Sequence, residues 1–128
     1  MKLLLDTCTF LWIATGSVHL SKRALQLFRD PENEVFLSSV SAWEIAIKNA
    51  IGRLPLPAPA SAYISRLREA HAISALPLIE EEALYLPRIP DLHRDPFDRM
   101  LVCQAIVNGL FVLTPDPLIS QYPIRTLW

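Results

Sequence analysis

The chain has 128 residues, of which 12 are basic, 13 acidic and 52% apolar. That length suits a single domain over residues 1–128 and leaves no room for a second core. A charge balance this close to zero lacks the strong positive excess that advertises many nucleic-acid binders, so any RNA contact has to come from local clustering of charge. No apolar run reaches the about 20 residues needed to cross a bilayer. The apolar start, MKLLLDTCTFLW, is interrupted by Asp6 and has no clear small-residue cleavage site after it, so the chain reads as cytoplasmic, with no membrane attachment. Cys8 and Cys103 are far apart, show no metal-ligand spacing and read as two free thiols.

In chain order, Lys2 to Leu5 is a short apolar run that reads as a buried strand. Thr7 to Ala14 follows as a helix stopped near Gly16, and Ser21 opens a second helix that Pro31 closes. Glu34 to Ser38 reads as the second strand. In the third helix, Trp43, Ile47, Ala50 and Ile51 recur at i, i+4, i+7 and i+8, which predicts one apolar face, and Gly52 follows as a stop. Ser41 with Glu44 three residues on, in S-A-W-E, forms a capping-box pattern at its start. A proline-rich loop, LPLPAPA, leads to a helix over Ser61 to Ala70 and a strand over Ile73 to Leu78. Ile79 to Leu86 predicts a short helix. Asp95-Pro96 then supplies a cap and a first-position proline for a heavily apolar helix that ends at Asn108-Gly109. Leu110 to Leu113 and Ile124 to Leu127 are the last two strands.

Strands alternating with helices imply a doubly wound α/β fold, a parallel sheet with helices on both faces. In such folds function gathers beyond the carboxyl ends of the strands. Asp6 stands directly after the first strand, Glu44 shortly after the second and Asp116 just after the fourth, while Asp98 sits in the first turn of the helix feeding the fourth. Four carboxylates are thus expected at one edge.

Like charges repel: at ~4 Å and an effective dielectric near 20, each carboxylate pair costs roughly 4 kcal/mol before relaxation. A cluster therefore needs protonation, basic partners or cations. Hard oxygen ligands suit Mg²⁺ or Mn²⁺, which lower the pKa of bound water and stabilise leaving oxygens, the chemistry of phosphodiester hydrolysis. Each acid also has a purely structural use. Asp6 can cap a helix, Glu44 can complete the capping box and pair with Lys48, Asp98 can favour the helix dipole three residues after the cap Asp95, and Asp116 in T-P-D-P can shape a turn. Their common placement at one edge favours function. Lys48, Arg53, Arg94 and Arg99 are the candidate phosphate contacts beside it. His19, His71 and His93 have no ligand spacing and read as surface or loop residues. Trp12, Trp43 and Trp128 read as core or interface.

Four segments resemble PIN-domain proteins, and within them the VapC-type toxins of toxin–antitoxin pairs. LLLDTCTFLW is similar to that family's LLLDTHALLW start, SSVSAWEIAIKNAIGRLPLP to its second acidic segment, HRDPFDRMLVCQA to its third, and LTPDPLISQYPIRTLW to its T-x-D ending. The resemblance implies a PIN-like doubly wound fold and a Mg²⁺- or Mn²⁺-dependent endoribonuclease. It also implies a homodimeric toxin held by a small antitoxin protein. Carried residue by residue, the family's acidic set falls on Asp6, Glu44, Asp98 and Asp116, with Asp6, Asp98 and Asp116 as metal ligands and Thr114 in support; Asp95, the cap of the helix that carries Asp98, supports the set from its own position. Cys8 stands where relatives carry His, and a packing role is expected for it. Cys103 replaces a common Ala.

Two other functions compete. A phospho-acceptor receiver domain shares the length and layering, but it needs adjacent acids after the first strand and a late lysine, and this chain has no Lys beyond residue 48. The four acids argue against a catalytically silent binding module of the same fold, which stands as the alternative. The apolar surplus predicts partner surface on the first helix, where Phe10, Leu11, Trp12 and Ile13 run in succession, and on the fourth, at Tyr63, Ile64 and Leu67.

Overall fold

A computed structural model describes residues 1–128. Five parallel strands lie in the order β3-β2-β1-β4-β5, built from β1 (Lys2–Leu5), β2 (Glu34–Ser38), β3 (Ser74–Leu76), β4 (Phe111–Leu113) and β5 (Arg125–Leu127). The helices are α1 (Thr7–Thr15), α2 (Lys22–Arg29), α3 (Ser39–Ala50), α4 (Ala60–His71), α5 (Glu80–Leu84), α6 (Pro96–Asn108) and α7 (Pro117–Ser120), with a 3₁₀ turn at Leu86–Arg88. The doubly wound α/β architecture expected from the sequence is present. The third strand stops at Leu76, before Pro77, and is shorter than the apolar run predicted. The short α7 was not anticipated.

β1 explains why the sequence opens on three leucines. Successive strand side chains point to opposite faces, and both faces of this central strand are covered. Leu3 and Leu5 join Val35 and Leu37 of β2, Phe10 and Ile13 of α1, Ile45 of α3 and Ile64 of α4 in one buried cluster. Leu4 joins Val112 of β4, Leu101, Val102 and Ala105 of α6, and Ile119 of α7 in the other. A strand buried on both sides reads as a continuous apolar run rather than an alternating one.

The third helix departs from expectation. It begins at Ser39, directly off β2, and its N-cap is Ser38, whose hydroxyl accepts from the Val40 N–H at 3.0 Å. The S-A-W-E capping box does not form, because Ser41 is already inside the helix and buried. The inward stripe is Val40, Ser41, Glu44 and Ile45, whereas Trp43, Ile47, Ala50 and Ile51 are exposed. The physical reason is rotational: with Glu44 turned toward the sheet edge, Trp43 is ~100° further round the helix and faces out. Trp43, 59% exposed, rests edge-on against Phe97 with ring centroids 5.1 Å apart.

Part of the partner surface expected on α1 and α4 is covered by the chain itself, while Leu11, Trp12 and Leu67 stay half-buried. Phe10, Ile13, Tyr63 and Ile64 are buried, and Trp12 packs against Trp128 and His19. Exposed apolar side chains lie on α3, at Trp43 and Ile47 with Ile51 just beyond, and also at Val18, Leu78, Ile79 and Leu84.

Ser38 also donates to Gln104 Oε1 at 2.5 Å. Ser38→Ala should therefore lower the unfolding free energy by more than the ~1 kcal/mol of an ordinary cap, since it strips a buried acceptor as well. Ser41→Ala keeps the cap and should cost less. Urea denaturation of the two variants checks this, and a larger loss at Ser41 contradicts the placement of the cap.

Candidate active site

The acids stand where strands give way to helices. Asp6 follows β1 at once and caps α1: its Oδ1 accepts from the Thr9 N–H at 2.8 Å and its Oδ2 from the Thr114 hydroxyl at 2.5 Å. Thr114, directly after β4, accepts in turn from the Asp116 N–H at 3.0 Å, so one hydroxyl ties two of the acids together. Asp116 caps α7 through Oδ1, which accepts from the Leu118 N–H. Glu44 projects from the second turn of α3. Its Oε2 meets Lys48 Nζ at 2.5 Å and its Oε1 accepts from the Thr7 hydroxyl at 2.6 Å, with Ser41 Oγ 3.0 Å from that hydroxyl. Asp95 caps α6, accepting from the N–H groups of Phe97 and Asp98, which leaves the Asp98 side chain free for another use. One Asp98 oxygen, Oδ2, lies 3.2 Å from His93 Nε2.

Electrostatics show that these groups share one field. Burial, with Asp116 adding to it, raises Asp6 above the ordinary aspartate value against the opposing bonds from Thr114 and Thr9. Burial, then Asp95, and with them Glu44 and Asp116, push Asp98 up to about 6, while His93 pulls it down. Cys8, in the first turn of α1, remains open to solvent, yet partial burial and the charges of Asp6, Glu44 and Asp98 together push it up to about 11. The bond to Glu44 raises Lys48. Thus Asp6 and Asp116 are joined through Thr114, and Asp98 feels the charges of Glu44 and Asp116.

No three of these side chains form a ready-made metal-binding group around one point. Asp6 is engaged by Thr9 and Thr114, and Glu44 by Lys48 and Thr7. Asp98 Oδ1 and Asp116 Oδ2 enter none of the site's hydrogen bonds. The donor set is wholly hard oxygen, partly buried and mutually repelling, and so fits a divalent cation of the magnesium type.

Among the basic candidates, Lys48 belongs to the site through Glu44. Arg99 is bound to Asp91 Oδ1 at 2.8 Å and donates to the His93 carbonyl, so it braces the loop before α6. Arg94 is exposed beside Asp95. Arg53 lies past the end of α3, roughly 10 Å along the helix axis from Glu44.

Sequence reasoning missed Thr7, Ser41 and His93. Thr7 adjoins Asp6, and the polar Ser41 lies one turn before Glu44, a pairing a helical wheel exposes. His93 is no surface residue: its side chain is 9% exposed and lies between Asp98 and Tyr122. Cys8 is exposed rather than packed, and Cys103 is buried. His19 and His71 rest against Trp12 and Phe28, away from the acids.

The chain belongs to the PIN domain family, whose profile matches residues 3–124. A 52-residue stretch is 45% identical to Ribonuclease VapC16 of Mycobacterium tuberculosis; it takes in 41% of this chain and 35% of that protein, so about a third of the relative's length is matched. Among solved structures, VapBC2 of Rickettsia felis, bound to a DNA fragment from its promoter, superposes with a TM-score of 0.75 at 12% identity, covering 100% of this chain and 99% of that one. VapBC-1 of nontypeable Haemophilus influenzae gives 0.68 at 15% identity, covering 99% and 97%. At these identities the structural likeness speaks to the fold.

Asp98 supplies a pH test. Its folded value, about 6, lies above the ordinary 3.8, so between these values the folded state holds more protons than the unfolded one. Its contribution to stability is fully present below about pH 4 and is lost as pH rises through 6. The metal-free protein should accordingly lose stability across that window, and Asp98→Asn should flatten the decline. Melting temperatures in chelator from pH 4 to 7 measure it.

Proposed function

We propose that this PIN domain is a Mg²⁺- or Mn²⁺-dependent endoribonuclease that hydrolyses RNA phosphodiester bonds, acting in the cytoplasm as the toxin of a type II toxin–antitoxin pair. The observation that carries this reading is the gathering of four carboxylates, at least two with raised pKa, at the carboxyl edge of the sheet. The partial match to a protein named a ribonuclease points the same way. No helix is long and apolar enough to cross a membrane, which suits the reading.

Asp6, Asp98 and Asp116 would hold the cation, with Asp98 Oδ1 and Asp116 Oδ2 as its ready ligands. When bound, the metal supplies charge to neutralise the phosphate and to acidify water. The chain's own part is positioning. Thr114 fixes Asp6 against Asp116, so the two strands beneath them share one geometry. Thr7 orients Glu44, and Lys48 offsets one of the four negative charges. Asp95 fastens the first turn of α6, from which Asp98 projects. Arg94, exposed beside that turn, is the proposed contact for RNA phosphates; Arg99 and Lys48 would reach them only on leaving Asp91 and Glu44, and Arg53 would serve only a longer strand.

Asp6→Asn should keep the α1 cap and the fold yet lose RNA cleavage by on the order of 100-fold or more, because an amide is a weak ligand where a carboxylate supplied several kcal/mol. Full cleavage by the folded variant, or by the wild type in excess chelator, would sink the mechanism. The aspartates of α6 should separate. Asp95→Ala is expected to lose roughly 1 kcal/mol of stability and little activity, whereas Asp98→Ala should stay folded and inactive. Thermal melts and cleavage assays on both decide it.

A second copy of the chain and a small antitoxin protein are the proposed partners. The neighbours of this fold are VapBC assemblies, and the exposed Trp43, Ile47 and Ile51 on α3 offer apolar area for a partner to cover. Solution mass should exceed that of a monomer and fall when Trp43 and Ile47 are both replaced by Ala. A wild-type monomer refutes the dimer.

A further inference from the structure

We propose that His93 is a positioning residue, locked in one tautomer by Tyr122, that holds Asp98 with one oxygen occupied and the other free for the metal. The inference rests on the reading of Asp98 as a metal ligand.

Tyr122 is buried in the segment after α7, and its hydroxyl has two partners, both on His93. The backbone N–H of His93 reaches that oxygen at 3.3 Å, and ring atom Nδ1 lies 2.7 Å from it. A backbone N–H can only donate, so the tyrosine oxygen accepts there. The buried hydroxyl has no other acceptor, so the assignment that leaves its proton partnered has the phenol donate to Nδ1. A neutral imidazole accepting at Nδ1 carries its own proton on Nε2, and Nε2 is the atom 3.2 Å from Asp98 Oδ2. The chain Tyr122 O–H to Nδ1, then Nε2–H to Oδ2, thus runs in one direction, with every proton assigned. It leaves Asp98 Oδ1 without a hydrogen-bond partner.

This arrangement answers a specific problem. A carboxylate can rotate about its terminal bond and present either oxygen, and Asp98 has a hydrogen-bond partner on Oδ2 only. A donor fixed on one oxygen stops the group from turning. Partners behind a metal-ligating group, when removed, typically lower metal affinity about 10- to 100-fold.

The competing role is a mere tether between the loop before α6 and the C-terminal segment. Two substitutions separate the roles, because Asn places its amide near the position of Nδ1 and Gln near that of Nε2. His93→Asn keeps the reach to Tyr122 and loses Asp98, whereas His93→Gln keeps a donor toward Asp98 and loses the tyrosine. Mn²⁺ affinity of the full chain, from the paramagnetic resonance signal of free Mn²⁺, should fall about 10- to 100-fold in His93→Asn. It should stay near the wild-type value in His93→Gln, with metal-free melting temperatures recorded for both. Tyr122→Phe, which frees the tautomer, should fall between them. Wild-type affinity in His93→Asn, with affinity lost in Asp98→Asn, overturns the role of His93 and spares that of Asp98. Equal losses in the Asn and Gln variants, tracking their melting temperatures, make His93 only a tether. Wild-type affinity in Asp98→Asn overturns the ligand reading itself.

Discussion

Asp6 is 4% exposed, at the end of the central strand, and shares its edge with three further carboxylates. The repulsion among these charges is the constraint to which the surrounding structure responds. Each acid is met by donors that the fold can supply without distortion: Asp6 by the Thr9 N–H and the Thr114 hydroxyl, Asp116 by Leu118, Glu44 by Thr7 and Lys48, and Asp98 by His93. Neutral donors soften the charge without cancelling it, so Asp6 and Asp98 remain raised. A site balanced in this way stores an unmet demand for positive charge.

Behind the edge, the molecule must hold these groups still. The doubly covered strands do most of this, since apolar side chains close-packed on both faces of β1 leave it little freedom. A buried polar network does the rest. Ser38, at the end of β2, donates to Gln104 of α6; Gln104 donates to Glu82 of α5; and Asn108 donates to the other oxygen of Glu82. Glu82 is 1% exposed and also accepts from the Ile79 N–H, so its carboxylate has three donors. Such a network specifies one arrangement of α5 and α6 over the sheet, because any slippage would strand a buried charge. It thereby fixes the helix that carries Asp98.

What was legible in the sequence follows from where local rules and global demands agree. The leucine run of β1, the Asp95-Pro96 start and the Gly109 stop of α6 each carry a short-range signal that the fold obeys; Gly109 ends its helix in the left-handed conformation, at φ 64°. Asp6, Asp98 and Asp116 stood out because they fall just past strands or at helix starts, and Glu44 because it follows β2 within two helical turns. The orientation of α3 was not. Its strongest apolar periodicity belongs to Trp43, Ile47 and Ile51, and the helix turns them outward so that Glu44 can face the other acids. Periodicity reports which residues would gain from burial but does not say against what, and here the functional acid takes the inward stripe. His93 was illegible for a different reason: its partners, Tyr122 and Asp98, come together only through the tertiary fold.

Helix polarity explains why one acid alone needs a lysine. Asp6, Asp95 and Asp116 are N-caps, and Asp98 sits in the first turn of α6. Each of these therefore lies where unpaired backbone N–H groups and the positive end of the helix dipole favour negative charge. The dipole's influence fades within the first turn, and Glu44 sits beyond it, in the second turn of α3. Its carboxylate has no free backbone donor to turn to. Lys48, one turn further on, fills that place with a full charge in the favourable i, i+4 order, and it keeps 45% of its side chain exposed, so its long stem bears most of the desolvation outside the site. The single basic partner in the cluster thus marks the one acid that the helix ends cannot serve.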